Sequence, residues 1–471
     1  MMTTDETQFS RISKLFLDRD ETPGDLVLSR RQRFSVTLRC GRDVQNSYTL
    51  QLAVLTAANI ANRCFPGAVR IAIEQESAEA PLLVWPSLRQ TFGQTLTRML
   101  GPGTLIGVDL PTPEDHAVIF GNALPTENAL RATFDGWTAK VGPISAVERL
   151  PEREYCSLSG ILAASLAISE LFFSFAEISI EAGRRVVALS LWRPDLEISD
   201  SSALGIPVKF LPCALWLLGL GHLGNAYLWS LATLPYPESA VPQVFLNDFD
   251  KVERENVETG LIFDAKAVHS HKTRICSAWL EERGFQTTLI ERRFDSNFRC
   301  RADEPRLALC GFDSNPARRD LETAEFLHVV ESGLGGTPDN FDTISVHTLP
   351  NPRTPLELWP DLTADEKEKR EKLRERIARE NTAYKHLGRD ECGRCELAGK
   401  SVAVPFVGAT AATLVLAETI RFLHDGPAYT DVKLALSALS GRSAQSNRNY
   451  SAPDLVGLKY CDSKIMANAS R

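Results

Sequence analysis

The feature of this sequence that most limits its fold is a short apolar run followed by a glycine-rich turn and a helix-forming stretch. The run Ala214–Leu218 has the length and character of a buried strand, and the next residues have the spacing G-x-G-x-x-G at Gly219, Gly221 and Gly224. Glycines at these positions let backbone N–H groups and a helix N-terminus approach a phosphate. The pattern predicts a phosphate-binding turn between a strand and a helix. Many dinucleotide-binding folds share it, so it does not identify the ligand.

Strands and helices continue to alternate after this turn. The predicted strands cover 244–246, 287–291, 306–310 and 328–331, and the predicted helices run from the turn to 234, over 272–284 and over 317–327. Strands that alternate with helices imply a parallel sheet covered on both faces. The sequence therefore predicts an α/β fold.

The first half of the chain repeats this rhythm weakly, with predicted strands at 34–38, 68–73 and 116–120. A small-residue helix that begins at Gly160 parallels one that begins at Gly408. The preference of any buried helix for Ala and Leu would explain this similarity; the other interpretation is two copies of one fold, packed as an internal pseudo-dimer. The first copy keeps only Gly41 after its first strand and has Asn122 where the second has an acid. We therefore expect the first copy to be inactive.

These patterns predict four parts. They are a degenerate domain at 1–205, an active domain at 206–338 and 400–450, an insertion at 339–399 and a tail at 451–471. The insertion contains a proline-rich stretch at 350–360, which we expect to be irregular. Thr363 and Glu366 then have the spacing of a capping box that opens a charged helix to about Arg379.

Charged residues after the second predicted strand help to distinguish which class of nucleotide the glycine turn binds. Asp248 and Asp250 follow that strand, Asn256 lies six residues after Asp250, and Lys272 lies sixteen residues after Asn256. A dehydrogenase with this glycine turn needs one acid here for the adenosine ribose. It does not need a second acid, an asparagine and a lysine at fixed distances. An NAD(P)-dependent oxidoreductase is therefore the weaker alternative.

The arrangement resembles the ThiF-type and ubiquitin-activating family, in which a glycine loop precedes D-x-D-x-V, an Asn and a Lys at these spacings. That family also has an Asp at the end of a later strand, a basic helix and a strand ending in E-S-G. The matching residues are Asp313, Arg318, Arg319 and Glu331–Gly333. The resemblance covers about 210–335 and 400–425. It implies an α/β protein with two Rossmann-like adenylation domains, one degenerate and one active, and a crossover insertion that carries a cysteine.

The resemblance, together with side-chain charge, implies a role for each residue. Asp248, beside Asp250, would accept hydrogen bonds from the ribose, and Asp313 would hold Mg²⁺ against the phosphates. Lys272 would neutralise charge on the β and γ phosphates, and Asn256 would position the α-phosphate.

One position departs from the family pattern. The family has an Arg three residues after the Asn, where this chain has Thr259. Arg254 is near in sequence, and the family also takes an Arg from the N-terminal part of the opposing half. Arg11 is the candidate for that role here.

Two cysteines stand close together at the end of the insertion. The position of Cys392 matches the place where ubiquitin-activating enzymes carry the cysteine that forms a thioester, with Arg389, Arg394 and Lys400 nearby to favour a thiolate. A zinc site would need two more ligands than Cys392 and Cys395 supply. A buried, inert pair is the third interpretation.

Composition excludes several classes of function. The formal net charge of −8 gives no general attraction to nucleic acid or an anionic membrane. No secretory signal is evident, and no stretch is expected to reach the roughly 18 apolar residues of a spanning helix. We therefore expect a cytoplasmic protein whose ten cysteines are reduced.

The resemblance implies an enzyme that uses ATP and Mg²⁺ to adenylate the C-terminus of a ubiquitin-like protein. The product would move to the cysteine as a thioester and then to a separate conjugating enzyme. The halves resemble the activating component of bacterial ubiquitin-like operons, the ISG-fifteen-like antiphage systems. An adenylating enzyme without a thioester step, acting on a sulfur carrier or a peptide, is the runner-up, and a non-catalytic scaffold is a third class. Oligomerisation beyond the pseudo-dimer stays open.

Overall fold

The structure is a computed structural model that describes residues 10–108, 116–386, 390–446 and 458–464. The strands of the first half are β1 (Val36–Cys40), β2 (Val69–Ala72), β3 (Leu105–Ile106), β4 (His116–Phe120), β5 (Leu130–Asp135), β6 (Thr138–Pro143) and β7 (Val187–Ser190). Its helices are α1 (Ser13–Asp20), α2 (Gly24–Arg33), α3 (Tyr48–Cys64), α4 (Gln75–Glu79), α5 (Phe92–Leu100) and α6 (Leu158–Phe175).

The second half has the same kinds of element. Its strands are β8 (Phe210–Pro212), β9 (Ala214–Leu218), β10 (Gln243–Asn247), β11 (Gln286–Ile290), β12 (Leu307–Cys310), β13 (His328–Leu334), β14 (Thr343–Leu349), β15 (Tyr429–Ala435), β16 (Ser443–Ser446) and β17 (Tyr460–Asp462). Its helices are α7 (His222–Ala232), α8 (Arg254–Thr259), α9 (Lys272–Glu281), α10 (Asn315–Arg319), α11 (Pro355–Leu358), α12 (Ala364–Glu380), α13 (Thr382–Lys385), α14 (Glu391–Gly399) and α15 (Pro405–Leu423).

The two halves are built on sheets with the same topology. The first sheet has the order β3-β2-β1-β4-β5-β6-β7, and the second has β11-β10-β9-β12-β13-β14-β15-β16. In each, the first five strands in that order are parallel and the others are added antiparallel. The central strand β9 is buried along its whole length, as expected for a parallel sheet covered on both faces. The α/β fold with two Rossmann-like units is therefore confirmed.

Helices from both halves form one continuous apolar core. Helices α3 and α6 of the first half pack against α7 and α15 of the second. The Phe172 and Phe406 rings lie 5.4 Å apart between centroids, and the Trp85 and Trp229 rings lie 5.2 Å apart edge to face. The small residues of α6 and α15 allow this close packing of backbones. The paired halves therefore act as a single packed body.

Helices α6 and α15 are also long and apolar enough to cross a membrane, judged by length and composition. The expectation that no stretch reaches that size is therefore wrong. Serines do not interrupt the apolar surface of α6, because Ser165 and Ser169 donate to carbonyls of their own helix. Glu170 accepts from Arg185 at 2.6 Å. Both helices are buried in the core.

Two local predictions differ from the structure. The helix predicted over 317–327 is the shorter α10, which starts earlier because Pro316 favours a first turn and continues only as a 3₁₀ turn over Asp320–Ala324. The stretch 350–360 contains one regular turn, α11, because Pro355 stands at its first position and Thr354 caps it. The capping box of Thr363 and Glu366 at the start of α12 is confirmed.

Candidate functional site

The glycine loop lies between β9 and α7, and its three glycines meet different constraints. Gly219 has φ of +81°, which favours glycine, and a Cβ on Gly224 would lie 2.0 Å from the Gly219 carbonyl oxygen. A Cβ on Gly221 would meet nothing within 4 Å. Two of the glycines are therefore required by the loop itself. The third leaves open space beside the start of α7, where a phosphate can approach the backbone.

Asp248 closes the loop from the end of β10. Its carboxylate accepts hydrogen bonds from the backbone N–H groups of Leu220 at 2.7 Å and Asp250 at 2.8 Å. Burial raises the pKa of Asp248, and the charge of Lys272, 4.0 Å away, opposes that shift. The structure thus fixes this carboxylate against the glycine loop, on the edge of the sheet where parallel α/β folds bind ligands.

Lys272 begins α9 and faces both acids. Its Nζ lies 3.1 Å from Asp250 Oδ2, while its side chain is only 10% exposed and that of Asp250 is 52% exposed. The buried lysine is therefore held at the site by the carboxylate of Asp250, and water weakens this ion pair because Asp250 is half-exposed. Asp248, Asp250 and Lys272 come together as the sequence predicts.

The side chain of Asn256 caps a helix in this structure, whereas the sequence predicts that it contacts the α-phosphate. It stands in the first turn of α8, where its side-chain oxygen accepts from the Glu253 N–H at 2.9 Å and the Glu253 carboxylate caps the helix in return. The described contacts give this side chain a capping role. The predicted role at the α-phosphate stays a prediction.

Asp313 follows β12 at the same edge of the sheet and is exposed. Its position depends on Arg318, whose Nε donates to the Phe312 carbonyl at 2.9 Å and lies 2.8 Å from the fully buried Glu331. Gly333 leaves room for that guanidinium, because a Cβ there would lie 3.3 Å from Arg318 Nη1 and Nη2. The E-S-G strand end and the basic helix therefore fix the backbone that carries Asp313.

Arg11 reaches this edge of the sheet from the first half. Its Nε donates to the Ser401 carbonyl at 2.9 Å. Burial lowers the pKa of Arg11, and the nearby charges of Glu255, Asp313 and Glu253 act in the opposite direction. The structure therefore places one arginine of the opposing half among the acids of the site.

Thr259, the departure from the family pattern, is buried and donates to the Glu255 carbonyl at 3.3 Å. Its neighbour Glu258 binds Arg31 of the first half at 2.7 Å. Arg254 is exposed at the start of α8. The contacts around Thr259 hold the two halves together, which leaves Arg11 as the candidate arginine from the first half near the acids of the site.

Two residues of the site were not singled out as ligand-binding candidates from the sequence. From the sequence, Lys400 is expected only to add charge near the cysteines. Its Nζ lies 2.7 Å from Glu255 Oε1, so this ion pair links the residue that follows the insertion to α8. The His222 imidazole packs against Gly408, where a Cβ would lie 2.5 Å from Nε2, and burial together with the Arg11 charge lowers the His222 pKa to about 3. The sequence signal for this contact was the predicted small-residue helix that begins at Gly408.

The equivalent edge of the first sheet is filled by the protein itself. Gly41 and Gly121 follow β1 and β4, at the positions that Gly219 and Gly311 hold after β9 and β12. The Asp43 carboxylate lies against Gly121, accepts from the Asn122 N–H at 3.1 Å and binds Arg149. A carboxylate at this point repels phosphate, which gives the predicted inactivity of the first half a physical basis.

Cys392 is exposed in the first turn of α14, whose N-cap Asp390 accepts from the Gly393 N–H at 2.8 Å. Cys395, one turn later, is partly buried. Among the described residues, no group of three or more His, Cys, Asp or Glu side chains is arranged to hold a metal. Arg389 and most of the predicted tail, 451–471, lie outside the described residues.

The predicted insertion, 339–399, contacts both halves: its first strand, β14, is part of the second half's sheet, and the segment before Cys392 packs on the first half. Tyr384 donates to Asp18 at 2.7 Å and accepts from Lys14 at 2.8 Å, and Asn381 donates to the Leu17 carbonyl at 2.8 Å. Helix α1 therefore contacts the segment that carries Cys392, and Arg11, two residues before this helix, lies near the acids of the nucleotide site.

Comparison with known proteins shows the family of this chain. The family model described as the BilD N-terminal domain matches 35–191, and the model of the BilD C-terminal domain matches 211–426. The bacterial E1-like protein BilD of Collimonas sp. (strain OK412) is 34% identical over 439 residues, 91% of each chain. The fold and these relatives define a bacterial E1-like protein. The chain belongs to the BilD family of bacterial E1-like proteins.

Two solved structures show weaker similarity. E. coli MccB has 13% identity and a TM-score of 0.35, covering 69% of this chain and 97% of that one. E. coli tRNA N6-threonylcarbamoyladenosine dehydratase, TcdA, has 16% identity and a TM-score of 0.30, covering 45% of this chain and 86% of that one.

Proposed function

We propose that this protein adenylates the C-terminal carboxylate of a ubiquitin-like protein with ATP, in the cytoplasm, and transfers it to Cys392 as a thioester for a separate conjugating enzyme. The observation that supports this most is the meeting of Asp248 and Lys272 at the glycine loop, with Arg11 near the acids Glu255 and Asp313, in a chain of an E1-like family. Antiphage defence, the setting of the operons this chain resembles, is part of the proposal.

The residues fit a nucleotide with bound Mg²⁺. Open space beside Gly221 receives phosphate oxygens, and the exposed Asp313 is an oxygen ligand of the kind that Mg²⁺ prefers. Mg²⁺ would supply charge neutralisation of the phosphates there. In this structure, Lys272 pairs with the half-exposed Asp250. An exposed ion pair contributes little free energy, so the lysine ammonium can exchange Asp250 for phosphate oxygens with little loss of stability.

The first reaction is a displacement at the α-phosphorus. A carboxylate oxygen of the substrate forms the new bond, the bond to the pyrophosphate oxygen breaks, and pyrophosphate leaves. Lys272 and Arg11 stabilise the negative charge that develops on the phosphates. Asp248 holds the ribose in place, so the α-phosphorus keeps one position relative to the substrate.

The second reaction uses AMP as leaving group. The Cys392 thiolate attacks the carbonyl carbon of the adenylate, the bond to the AMP oxygen breaks, and a thioester remains. Cys392 suits this step because it is exposed and lies in the first turn of a helix, two features that reactive cysteines share. An enzyme without this step would adenylate its substrate and pass it directly to another nucleophile.

The test is ATP–pyrophosphate exchange with a candidate ubiquitin-like protein that ends in glycine. Asp313→Ala should lower exchange by about 10²-fold or more, because the Mg²⁺ that would neutralise the phosphates loses a ligand. Asp303→Ala is the matched control, since Asp303 is an exposed acid before the opposite end of β12. Exchange that survives Asp313→Ala at the control rate would refute the assigned site, and an NAD-induced rise in Tm without an ATP-induced one would refute the adenylation reaction.

A further inference from the structure

Two cysteines far apart in sequence meet on a small ribbon outside the nucleotide site. Strands β8 and β17 pair antiparallel, with Leu211 opposite Cys461, and the Cys213 N–H donates to the Lys459 carbonyl at 2.8 Å. Directly opposite residues of an antiparallel pair share a face, as do residues two apart on one strand. Cys213 and Cys461 are therefore diagonal neighbours on one face of the ribbon.

The two thiols are close enough to influence each other. Their interaction lowers the pKa of Cys213 and raises that of Cys461. Both side chains are partly accessible rather than buried, unlike the cysteines of the core. Tyr236 lies near the pair and donates to the Pro212 carbonyl at 2.7 Å. A more acidic thiol beside a second thiol has the two parts of a redox-sensitive pair, an attacking and a resolving sulfur.

We propose that Cys213 and Cys461 form a modification site that closes to a disulfide under peroxide and so ties the C-terminal strand β17 to the nucleotide-binding half. The Cys213 thiolate attacks one oxygen of hydrogen peroxide, giving a sulfenic acid and hydroxide. The Cys461 sulfur then attacks the sulfenic sulfur, the S–O bond breaks, and the hydroxyl leaves as water with the Cys461 proton. In a reducing compartment the pair remains as two thiols.

The position of the pair gives the bond a structural consequence. Cys213 immediately precedes β9, the strand that leads into the glycine loop. Among the described strands, the short strand β17 is hydrogen-bonded only to β8, which ends just before Cys213. A covalent link between 213 and 461 closes a loop that contains the whole second half. A constraint on a loop of that length stabilises the folded state mainly by restricting the unfolded chain.

The test is peptide mapping of the full-length protein under non-reducing conditions after a brief peroxide treatment. Trypsin releases residues 210–251 and 460–464 as separate peptides, each with one cysteine. The expected product is these two peptides joined, with loss of two hydrogens and recovery of both after reduction. The oxidised protein should also have a Tm higher by on the order of 5 °C.

Cys213→Ser and Cys461→Ser should each abolish the joined peptides, whereas Cys395→Ser should not. The proposal is overturned if the joined peptides do not form in the wild-type protein while oxidation of the exposed Cys392 shows that peroxide reached it. It is also overturned if they form but leave the Tm unchanged. Neither readout depends on adenylation, so its failure would leave the proposed enzymatic function untouched.

Discussion

Lys272 and Asp250 are joined twice: the lysine Nζ lies 3.1 Å from Asp250 Oδ2, and the lysine N–H donates to the Asp250 carbonyl at 3.1 Å. The backbone bond sets where α9 begins, and the ion pair keeps the ammonium beside the glycine loop. The start of a helix and the end of a strand are thereby fixed to each other. This explains why the spacing between the acids and the lysine matters.

Lys272→Ala should lower ATP–pyrophosphate exchange by about 10²–10³-fold, because the phosphates lose the cation that stabilises them during displacement. Lys272→Arg should recover part of the rate, since it keeps the charge with a different geometry. Lys266→Ala, at an exposed lysine before α9, is the control. Equal exchange rates in the Lys272→Ala and Lys266→Ala variants would show that the ammonium has no part in the reaction.

Two neighbouring glycines should respond differently to alanine. Gly224→Ala forces a Cβ to 2.0 Å from a backbone oxygen and should destabilise the protein by about 1–3 kcal/mol, visible as a lower midpoint in urea. Gly221→Ala meets no neighbouring atom and should change stability by less than about 0.5 kcal/mol, while ATP affinity falls because the methyl occupies the open space. Calorimetric titration measures that affinity. Unchanged ATP binding by Gly221→Ala would place the phosphates elsewhere.

The chain should bind one ATP, not two. The first half has Asp43 and Arg149 bound together where the second has open space beside Gly221. Isothermal titration with a non-hydrolysable ATP analogue should give a stoichiometry near one, and Lys272→Ala should weaken that single transition. A second transition that persists in Lys272→Ala would assign nucleotide binding to the first half.

Cys392→Ala should abolish a reducible adduct with the ubiquitin-like protein and leave pyrophosphate exchange at the wild-type rate, because adenylation uses residues of the glycine loop and not the thiol. Cys395→Ala is the matched control one turn along the same helix. A non-reducing gel with ATP separates the outcomes. An adduct that depends on Cys395 instead would move the nucleophile by three residues, and exchange without any adduct would favour the enzyme that lacks a thioester step.

The local parts of this site follow from the sequence. A strand, a glycine turn and a helix are specified by residues close together in the chain, and β9 occupies the predicted Ala214–Leu218. The acids after β10 and the lysine at the start of α9 also lie on regular elements, so their spacing predicts that they meet. Boundaries such as those of α10 were less predictable, because proline and cap chemistry move a helix end by several residues.

The sequence by itself determined the fold class, the glycine loop and the meeting of Asp248, Asp250 and Lys272, because short-range periodicity and strand ends fix those positions. Only the tertiary structure decided that Arg11 of the first half lies among the acids of the site, that Glu331 supports Arg318, and that Cys213 and Cys461 are neighbours on the β8–β17 ribbon. These contacts join residues from separate elements or separate halves of the chain. No local pattern encodes them, since the packing of α3, α6, α7 and α15 sets which distant surfaces meet.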